Sequence, residues 1–456
     1  MISENVLERI SEITGSVHTD NTTLKSHGSD WTRFYEPNPS AVVFPKTTQE
    51  VSDLVRLANE YNFGLVPSGG RTGLSGGAVA KNKELVVSFD KMNNILEFDP
   101  IDSSVRVEAG VATKTLQEYA ITKGLYYPVD FASSGSSQVG GNIATNAGGI
   151  KVLRYGLTRD WVSGLKVVTG RGDILELNKG LIKNATGYDL RHLYIGSEGT
   201  LGFVTEATVQ LTTDPGNLSV VLLAVPRMTD VIEVLSAFRR RVSLTAFEFF
   251  SEIALKHVID HTDLAAPFAK ASDYYVLVEC LEDDDAISDV FTDCCDAGWV
   301  SDGLVSQSGQ QNIDFWRYRE NISEAITPFT PYKNDISVRV SRVPNFLLAV
   351  QNEVMSKYPD FEIVWFGHIG DGNLHLNILK PTSWELDRFR KRCEEVSESI
   401  LSVVSSFQGS VSAEHGVGLL KKDQLRHTRS DTEISAMRAL KGVFDPNDVM
   451  NPGKLL

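Results

Sequence analysis

The chain has 456 residues, of which 42% are hydrophobic and 23% are charged, and 59 acidic residues outnumber 44 basic ones to give a formal net charge of -15. This composition is typical of a soluble globular protein with roughly two or three domains, and the acidic excess argues against nucleic-acid binding, which depends on clustered lysine and arginine. The amino terminus has no apolar signal segment and no uncharged apolar run approaches about 18 residues, so neither a secretory signal nor a membrane helix is expected.

The cysteine pattern indicates free thiols. Cys280, Cys294, Cys295 and Cys393 include no CxxC pair, and the adjacent Cys294 and Cys295 suit neither a disulfide framework nor a metal site. Free thiols are typical of a reducing compartment, so we expect a cytoplasmic protein.

The first part of the chain mixes predicted helices and strands up to about residue 213. Residues 1–36 predict a helix and a loop, after which "AVVF", "TTQEVSDLVRLANEYN" and "GLVP" predict strand, helix and strand, with Thr48 as the helix N-cap. Later segments predict the strands "ELVVSF", "SVRVEAG", "LKVVTG" and "FVTEATVQL" and the helix "TKTLQEYAITKG".

The pattern changes after "TTDPGN", residues 212–217, which predicts a linker. The strands "LSVVLLAVP" and "DYYVLVECLED" then alternate with the helices "MTDVIEVLSAFRRRV" and "DAISDVFTDCCDAG". This order predicts an α+β domain built on an antiparallel sheet. From about residue 411 the chain returns to glycine-rich loops.

Three glycine-rich segments in the first part predict a binding site for an extended ligand. "PSGGRTGLSGGA", residues 67–78, follows a predicted strand, and its backbone could form an anion site, although a flexible surface loop is the alternative. It continues into a strand rather than a helix and lacks the Walker lysine, so neither nucleotide fingerprint fits. With "SSGSSQVGGNIATNAGG", residues 133–149, and "IGSEGTLGFVTEATVQL", residues 195–211, it predicts a flavin dinucleotide held by backbone from several sides.

Two histidines flank a tight turn in "VWFGHIGDGNLHLNIL", residues 364–379. Strand alternation places His375 and Asn377 on one face and the neighbouring leucines on the other. His368 lies seven residues before His375, so a continuous strand would separate the two rings, whereas the Gly-Asp-Gly turn can bring them to one point. Two imidazoles at one point suit a metal, although a structural role in the core is the alternative for each.

A further motif supplies the groups that a metal site would need. In "SAEHGVG", Glu414 could complete a His–His–Glu set with an open position, as expected of a catalytic ion such as zinc. His415 would then be available to accept a proton near neutral pH. Asp371, inside the turn, is either a rival ligand or a turn-forming residue.

Candidate cations for an acidic substrate occur in residues 315–338. Arg319 and Ser323 are four residues apart, so a continuous helix would place them on one face, and Lys333 follows on a predicted strand. Arginine can bind a carboxylate through two hydrogen bonds and lysine adds a point charge. The alternative is that Arg319 is a solvated helix residue.

The glycine-rich loops resemble those of the vanillyl-alcohol oxidase and para-cresol methylhydroxylase family of FAD-linked oxidoreductases, from about residue 36 to the C-terminus. The resemblance implies an α+β fold with four parts: an N-terminal helix and loop (1–36), a two-subdomain FAD-binding domain of the PCMH type (37–213), an α+β substrate or cap domain with an antiparallel sheet (214–410), and a C-terminal segment that returns to the flavin (411–456).

The same resemblance implies FAD with its pyrophosphate on residues 68–73. Some relatives attach FAD covalently to a histidine of the first loop, where this chain has Arg71 and Thr72, so non-covalent FAD is expected. The residues implied to contact FAD are Pro67, Ser68, Gly69, Gly70, Arg71, Thr72, Gly73, Ser75, Ser133, Ser136, Ser137, Gly140, Gly141, Asn142, Thr145, Asn146, Gly148, Gly149, Glu198, Gly199, Gly202 and Asn451.

"GHIGDGNLHLN" and "SAEHGVG" are similar to motifs of the D-2-hydroxyacid dehydrogenase branch, which includes D-2-hydroxyglutarate, D-lactate and glycolate dehydrogenases. The resemblance implies that His368, His375 and Glu414 bind a divalent metal and that His415 is the catalytic base. It also implies substrate binding by Arg319, Ser323, Lys333 and Asn377. Serine replaces the usual threonine at Ser323, and the segment before Lys333 is one residue shorter and rich in proline, which leaves substrate length open.

These features predict FAD-dependent oxidation of a D-2-hydroxyacid, foremost D-2-hydroxyglutarate and also D-malate, to the 2-oxo acid. The metal would acidify the hydroxyl, His415 would take its proton, and the flavin would take the hydride. Without a nicotinamide fingerprint, electrons are expected to pass to an electron-transfer flavoprotein or a quinone. A D-lactate or glycolate dehydrogenase, an electron-carrier subunit with a structural metal, and a homodimer all stay open.

Overall fold

The computed structural model describes residues 2–32 and 34–456 of the chain. Its strands, in chain order, are β1 (Ala41–Val43), β2 (Leu65–Ser68), β3 (Leu85–Ser88), β4 (Ile95–Asp99), β5 (Ser104–Glu108), β6 (Val162–Thr169), β7 (Ile174–Leu177), β8 (Gly202–Gln210), β9 (Leu218–Val225), β10 (Leu244–Ser251), β11 (Tyr274–Leu281), β12 (Asp302–Val305), β13 (Tyr332–Ser337), β14 (Glu362–Gly367) and β15 (Asn373–Leu379).

The α-helices, in chain order, are α1 (Glu4–Thr14), α2 (Asn21–His27), α3 (Thr48–Tyr61), α4 (Thr113–Thr122), α5 (Val139–Thr145), α6 (Val152–Tyr155), α7 (Thr158–Trp161), α8 (Arg191–Tyr194), α9 (Met228–Arg241), α10 (Glu252–His261), α11 (Asp284–Asp296), α12 (Gly309–Glu320), α13 (Ile322–Ala325), α14 (Val343–Lys357), α15 (Leu386–Ser406) and α16 (Asp431–Phe444). In the part of the chain that the structure describes, no helix is both long enough and apolar enough to cross a membrane.

The chain divides into two compact units. The first comprises Met1–Gly149, Gly156–Asp214 and Glu414–Leu456, and the second comprises Ile150–Tyr155 and Pro215–Ala413. The short segment that carries α6 is therefore counted with the second unit, although the chain on both sides of it belongs to the first.

The first unit contains two sheets. A three-stranded parallel sheet has the order β1-β3-β2, and a five-stranded antiparallel sheet has the order β4-β5-β8-β6-β7. The apolar face of α3 packs in the core cluster that includes the parallel sheet. Met450 pairs in parallel with Leu65 of β2, so the last part of the chain extends this sheet.

Two local predictions in the first unit are wrong in detail. The N-cap of α3 is Thr47, whose side chain accepts a hydrogen bond from the Glu50 N–H, and Thr48 is the first helical residue. The described part of residues 1–36 contains two helices, where the sequence predicts one. The additional helix, α2, begins after Asp20, whose side chain accepts a hydrogen bond from the Thr23 N–H. The segment of α2 shows no apolar periodicity and buries none of its residues, so the sequence pattern does not reveal it.

The second unit is built on a seven-stranded antiparallel sheet with the order β12-β9-β11-β10-β14-β15-β13. Helices α9, α11, α14 and α15 pack in the core on one face, and α10, α12 and α13 pack on the other. The antiparallel α+β architecture predicted for this part of the chain is confirmed.

The hairpin of β14 and β15 determines where the two histidines lie. Leu374, Leu376 and Ile378 of β15 face the larger helical core, as strand alternation predicts. His375 and Asn377 therefore point to the opposite face. The turn between the strands depends on Gly372, which has φ of +86° and whose added Cβ would lie 2.1 Å from the Val338 carbonyl oxygen.

We expect Gly372→Ala to lower the free energy of unfolding by about 2 kcal/mol or more, because the left-handed backbone costs a non-glycine residue about 1–2 kcal/mol before the overlap with Val338 is counted. Gly370→Ala is the matched control, since Gly370 has no left-handed φ and its added Cβ would meet side-chain atoms of Leu153 and Phe247 at 3.0 and 3.1 Å, whereas that of Gly372 would overlap a backbone carbonyl. Urea unfolding followed by tryptophan fluorescence measures both. Equal losses in the two variants would contradict the role assigned to Gly372.

Candidate active site

A cleft in the first unit is lined by all three predicted glycine-rich segments. Predicted FAD contacts that line it are Pro67, Gly69, Gly70, Arg71, Thr72, Gly73, Ser75, Gly140, Gly141, Asn142, Thr145, Glu198, Gly199 and Gly202. Backbone of β2, α5 and the start of β8 therefore meets in one concave surface. His415, the predicted base, lines the same cleft.

The remaining predicted FAD contacts lie outside the lining of this cleft: Ser68, Ser133, Ser136, Ser137, Asn146, Gly148, Gly149 and Asn451. Several of them support the loops instead. The Ser137 hydroxyl lies 2.9 Å from that of Thr113. The Asn451 amide donates to the carbonyls of Gly77 and Glu198 and so joins the first loop to the third. Direct contact of these residues with FAD stays a prediction.

Asp90 organises the first loop and was missed by sequence reasoning. Its carboxylate lies 3.1 Å from the Arg71 guanidinium, 2.7 Å from the Gln138 amide nitrogen and 3.3 Å from the His27 imidazole. Burial raises the pKa of Asp90, but hydrogen bonds and charge from these three neighbours outweigh it and lower the pKa to about 2. Asp90 is therefore anionic at neutral pH and holds Arg71 at the cleft. Its position two residues after the end of the apolar strand β3 was the available signal.

Glu198 connects the cleft to the segment that contains His415. Its carboxylate accepts hydrogen bonds from the N–H groups of Val417 and Gly418, each at 2.7 Å, and burial raises its pKa. Glu198 therefore contributes its side chain to the conformation of this segment. His415 Nε2 lies 3.3 Å from Glu414 Oε1, so the two motif residues are also in contact.

In the second unit, the hairpin brings the two predicted metal-binding histidines together. The rings of His368 and His375 are 5.3 Å apart between centroids and nearly perpendicular, at 84°. Phe366 pairs with His375 across the strands, and their ring centroids lie 5.0 Å apart. The turn therefore does what the sequence pattern predicted and places both imidazoles on one side of the sheet.

Glu248 of β10 contacts His368, one of the two histidines, and was also missed. Its side chain is only 1% exposed, and its Oε1 lies 2.8 Å from His368 Nδ1. Its Oε2 accepts a hydrogen bond of 2.8 Å from Arg319 Nε. The signal was a single acid in a strand, "LTAFEFFS", whose residues are all buried.

The predicted cations occupy two different environments. Arg319 is buried, with its guanidinium carbon 4.7 Å from the centre of the Phe366 ring. The Lys333 ammonium lies 2.9 Å from the Ser323 hydroxyl, and desolvation lowers the pKa of Lys333 although the residue as a whole is exposed. The expected continuous helix through Arg319 and Ser323 is wrong, because α12 ends at Glu320 and α13 begins at Ile322.

Strand register places the other predicted residues on the histidine face. Lys333 of β13 pairs with Asn377, and Asp335 pairs with His375. The Asp335 carboxylate accepts a hydrogen bond of 3.1 Å from the Ala413 N–H, immediately before Glu414. Asp371 accepts a hydrogen bond from the Asn373 N–H, which is the turn-forming role left open by the sequence.

Comparison with known proteins identifies the family. Residues 215–455 match the model described as "FAD linked oxidases, C-terminal domain", and residues 39–178 match the "FAD binding domain". The first match alone spans more than half of the 456 residues. The chain belongs to the FAD-linked oxidase family.

Relatives of this FAD-linked oxidase align over nearly their whole length. A protein of Stutzerimonas stutzeri (strain A1501) named D-2-hydroxyglutarate dehydrogenase is 56% identical over 445 residues, covering 97% of this chain and 96% of the relative. A protein of the same name from Xanthomonas citri pv. viticola is 51% identical over 441 residues, covering 96% and 93%.

The fold is also that of an enzyme whose structure has been solved. The structure of p-cresol methylhydroxylase with substrate bound matches this FAD-linked oxidase with a TM-score of 0.79 and 15% identity, covering 99% of this chain and 96% of that chain. Identity this low establishes the fold alone. The predicted α+β architecture of the PCMH type is confirmed, and the family assignment makes the protein an FAD-dependent oxidoreductase.

The cleft of this FAD-linked oxidase fits its cofactor on two observations. Tyr194 Oη and Gln138 Oε1 belong to lining residues, are buried, and have no hydrogen-bond partner in the described part of the chain, so a polar ligand would satisfy them. The loops also approach closely: a Cβ added to Gly70 would lie 2.1 Å from the Ser136 carbonyl oxygen. Only glycine permits this approach of the first loop to the second.

Gly70→Ala should therefore lose most of the bound FAD, because the methyl group must push the first loop away from Ser136. Gly135→Ala is the control, since its added Cβ would meet no atom within 4 Å although it lies in the second loop. The ratio of flavin absorbance to protein in purified samples measures the effect. Full FAD occupancy in the Gly70 variant would show that the loops tolerate a wider separation.

Proposed function

We propose that this protein oxidises a D-2-hydroxyacid, foremost D-2-hydroxyglutarate, to the 2-oxo acid with non-covalent FAD and a divalent metal, zinc. The observation that carries the proposal is the pair of facing imidazoles, His368 and His375, on the same sheet face as Lys333 and Asn377. Relatives that bear the name D-2-hydroxyglutarate dehydrogenase support the choice of substrate.

The donor set fits zinc. Imidazole nitrogen and carboxylate oxygen are donors that zinc binds, and two histidines with one glutamate leave a coordination position open. Glu414 is the proposed carboxylate donor. The N–H of the preceding residue, Ala413, donates a hydrogen bond to the Asp335 side chain, and Asp335 is the strand partner of His375. Because consecutive Cα atoms are only about 3.8 Å apart, Glu414 also begins close to Asp335. The chain path thus favours Glu414 as the third ligand.

When bound, the metal supplies a Lewis acid that acidifies the substrate hydroxyl, and FAD supplies the hydride acceptor. We assign removal of the hydroxyl proton to the His415 imidazole, because it lines the cleft and an ordinary imidazole titrates near pH 6.5, about where a base must work. The reaction requires the C–H bond to face the flavin, and residues that bind the carboxylates fix that orientation.

Substrate carboxylates would be held by Arg319, Ser323, Lys333 and Asn377. Arg319 Nε donates a hydrogen bond to Glu248. In the described part of the chain no hydrogen bond is formed by the two terminal nitrogens of Arg319, which could therefore bind a carboxylate through two parallel hydrogen bonds. Lys333 adds a second cation, paired with Ser323. Two cations suit a diacid, so D-malate is a further substrate to test.

We also propose an electron-transfer flavoprotein or a quinone as acceptor, and a cytoplasmic location.

Lys333→Ala should reduce oxidation of D-2-hydroxyglutarate about 10- to 100-fold, because a hydrogen bond to a charged group is worth about 1.5–3 kcal/mol, and should spare D-lactate. Anaerobic flavin reduction with glycolate, D-lactate, D-malate and D-2-hydroxyglutarate measures both. Lys357→Ala, which removes an exposed lysine that pairs with Glu353, is the control. If Lys333→Ala lowers oxidation of D-lactate by the same factor, Lys333 does not bind the second carboxylate. If the wild type oxidises D-lactate or glycolate faster than D-2-hydroxyglutarate, the proposed substrate is wrong.

Removing the metal by chelation should abolish oxidation while FAD stays bound, because the hydroxyl then loses its acidifying charge. Metal content, flavin absorbance and anaerobic flavin reduction are measured on the same sample, and activity should return with zinc. His415→Ala should keep metal and FAD but lose turnover. If metal-free, FAD-loaded protein still oxidises hydroxyacids, the metal is not catalytic. If no hydroxyacid reduces the flavin even with metal bound, an electron-carrier role replaces the enzyme assignment.

A further inference from the structure

Glu248 is a buried carboxylate in a strand whose other residues are all uncharged. Every residue of β10 is buried, and the Glu248 side chain is 1% exposed. Burying an unpaired carboxylate is costly, so such a group persists only where neighbours compensate its charge and satisfy its oxygens. Its two oxygens have one partner each, the imidazole of His368 and the guanidinium of Arg319.

The contact with His368 has a direction. Because an ionised carboxylate can only accept hydrogen bonds, the contact of 2.8 Å assigns the proton to His368 Nδ1. The other ring nitrogen, Nε2, then carries the lone pair that can bind a metal. A carboxylate that accepts a hydrogen bond from one ring nitrogen fixes both the tautomer and the ring orientation of a histidine whose other nitrogen binds a metal.

The contact with Arg319 fixes the other half of the arrangement. The 2.8 Å bond from Nε to Glu248 and the packing of the guanidinium over Phe366 hold this arginine in one orientation. Phe366 in turn contacts the His375 ring. One carboxylate therefore lies between the histidine pair and the arginine proposed to bind substrate.

We propose that Glu248 is a positioning residue shared by the two parts of the active site, fixing His368 for the metal through one oxygen and Arg319 for the substrate carboxylate through the other. This inference rests on the proposed function and extends it to a residue that touches neither substrate nor metal. It also explains why an acid lies in the middle of a buried strand whose other residues are uncharged.

A glutamine at this position cannot do both tasks. Its amide has one acceptor oxygen and one NH2 donor group. It can therefore accept a hydrogen bond from His368 or from Arg319, but its NH2 group then faces the N–H donor of the other residue. Glu248→Gln should therefore weaken zinc binding about 10- to 100-fold, the usual effect of losing such a partner of a metal ligand. The KM for the hydroxyacid should rise as well, because Arg319 loses its fixed orientation.

Glu279→Gln is the matched control. Glu279 lies on the adjacent strand β11, is also buried, and accepts hydrogen bonds from Lys151, Thr245 and Trp316. The substitution makes the same chemical change in the same sheet, and in the described part of the chain the hydrogen bonds of Glu279 involve neither the two histidines nor Arg319. It is expected to lower thermal stability while zinc affinity stays at the wild-type value.

The experiment measures zinc affinity of the FAD-loaded proteins by competition with a chromophoric chelator, together with the visible spectrum of the Co²⁺-substituted proteins and the melting temperature. Glu248→Gln should lose affinity and change the Co²⁺ spectrum, and Glu279→Gln should do neither. If both variants keep wild-type affinity and spectrum, the inference is overturned. If the wild type itself binds no zinc, or His368→Ala binds it equally well, the proposed metal site is at fault instead.

Glu248→Asp keeps the charge and both acceptor oxygens but shortens the reach by one methylene group, which makes it the variant to use if Glu248→Gln does not fold with FAD. It should bind zinc several-fold more weakly and shift the Co²⁺ spectrum, because the shorter side chain cannot hold both partners. Wild-type affinity and an unchanged spectrum in this variant would also overturn the positioning role.

Discussion

The candidate site depends on the register of the seven-stranded sheet. In β15, Leu374, Leu376 and Ile378 face the larger helical core, and the residues between them, His375 and Asn377, face the other side. A slip of one residue would move three large aliphatic side chains out of that core to the opposite face and bring the polar ones into it. The hydrophobic effect that stabilises the core therefore also fixes which chemical groups the opposite face presents.

Charge compensation is the second constraint on the same unit. The protein is acidic overall, at -15, yet two buried acids of the sheet are each paired with a cation: Glu248 with Arg319, and Glu279 with Lys151. Each pair satisfies a carboxylate that could not stay ionised alone in an apolar environment. Net charge therefore says little about the ligand, whereas the position of individual cations says much more.

Sequence patterns predicted the features that depend on local geometry. Strand alternation and a Gly-Asp-Gly turn were enough to predict that His368 and His375 meet, and glycine-rich segments were enough to predict a cleft lined by backbone. The contact of Glu248 with His368 spans 120 residues, and neither residue carries a local signal of the other. The break at Asn321 was equally hidden, because a continuous helix and two short helices share nearly the same spacing. The small error at Thr48 reflects two adjacent threonines, either of which could cap α3.

The division of the chain has a consequence for its synthesis. The second unit is formed by Ile150–Tyr155 and Pro215–Ala413, whereas the first also needs Glu414–Leu456, including Met450, which pairs with β2. A ribosome makes the N-terminal part of a protein first, and domains tend to fold as soon as their residues have emerged. Here the unit that begins first must be completed last. The glycine-lined cleft of the first unit, which includes His415, can therefore be completed only after the entire antiparallel sheet of the second unit has left the ribosome.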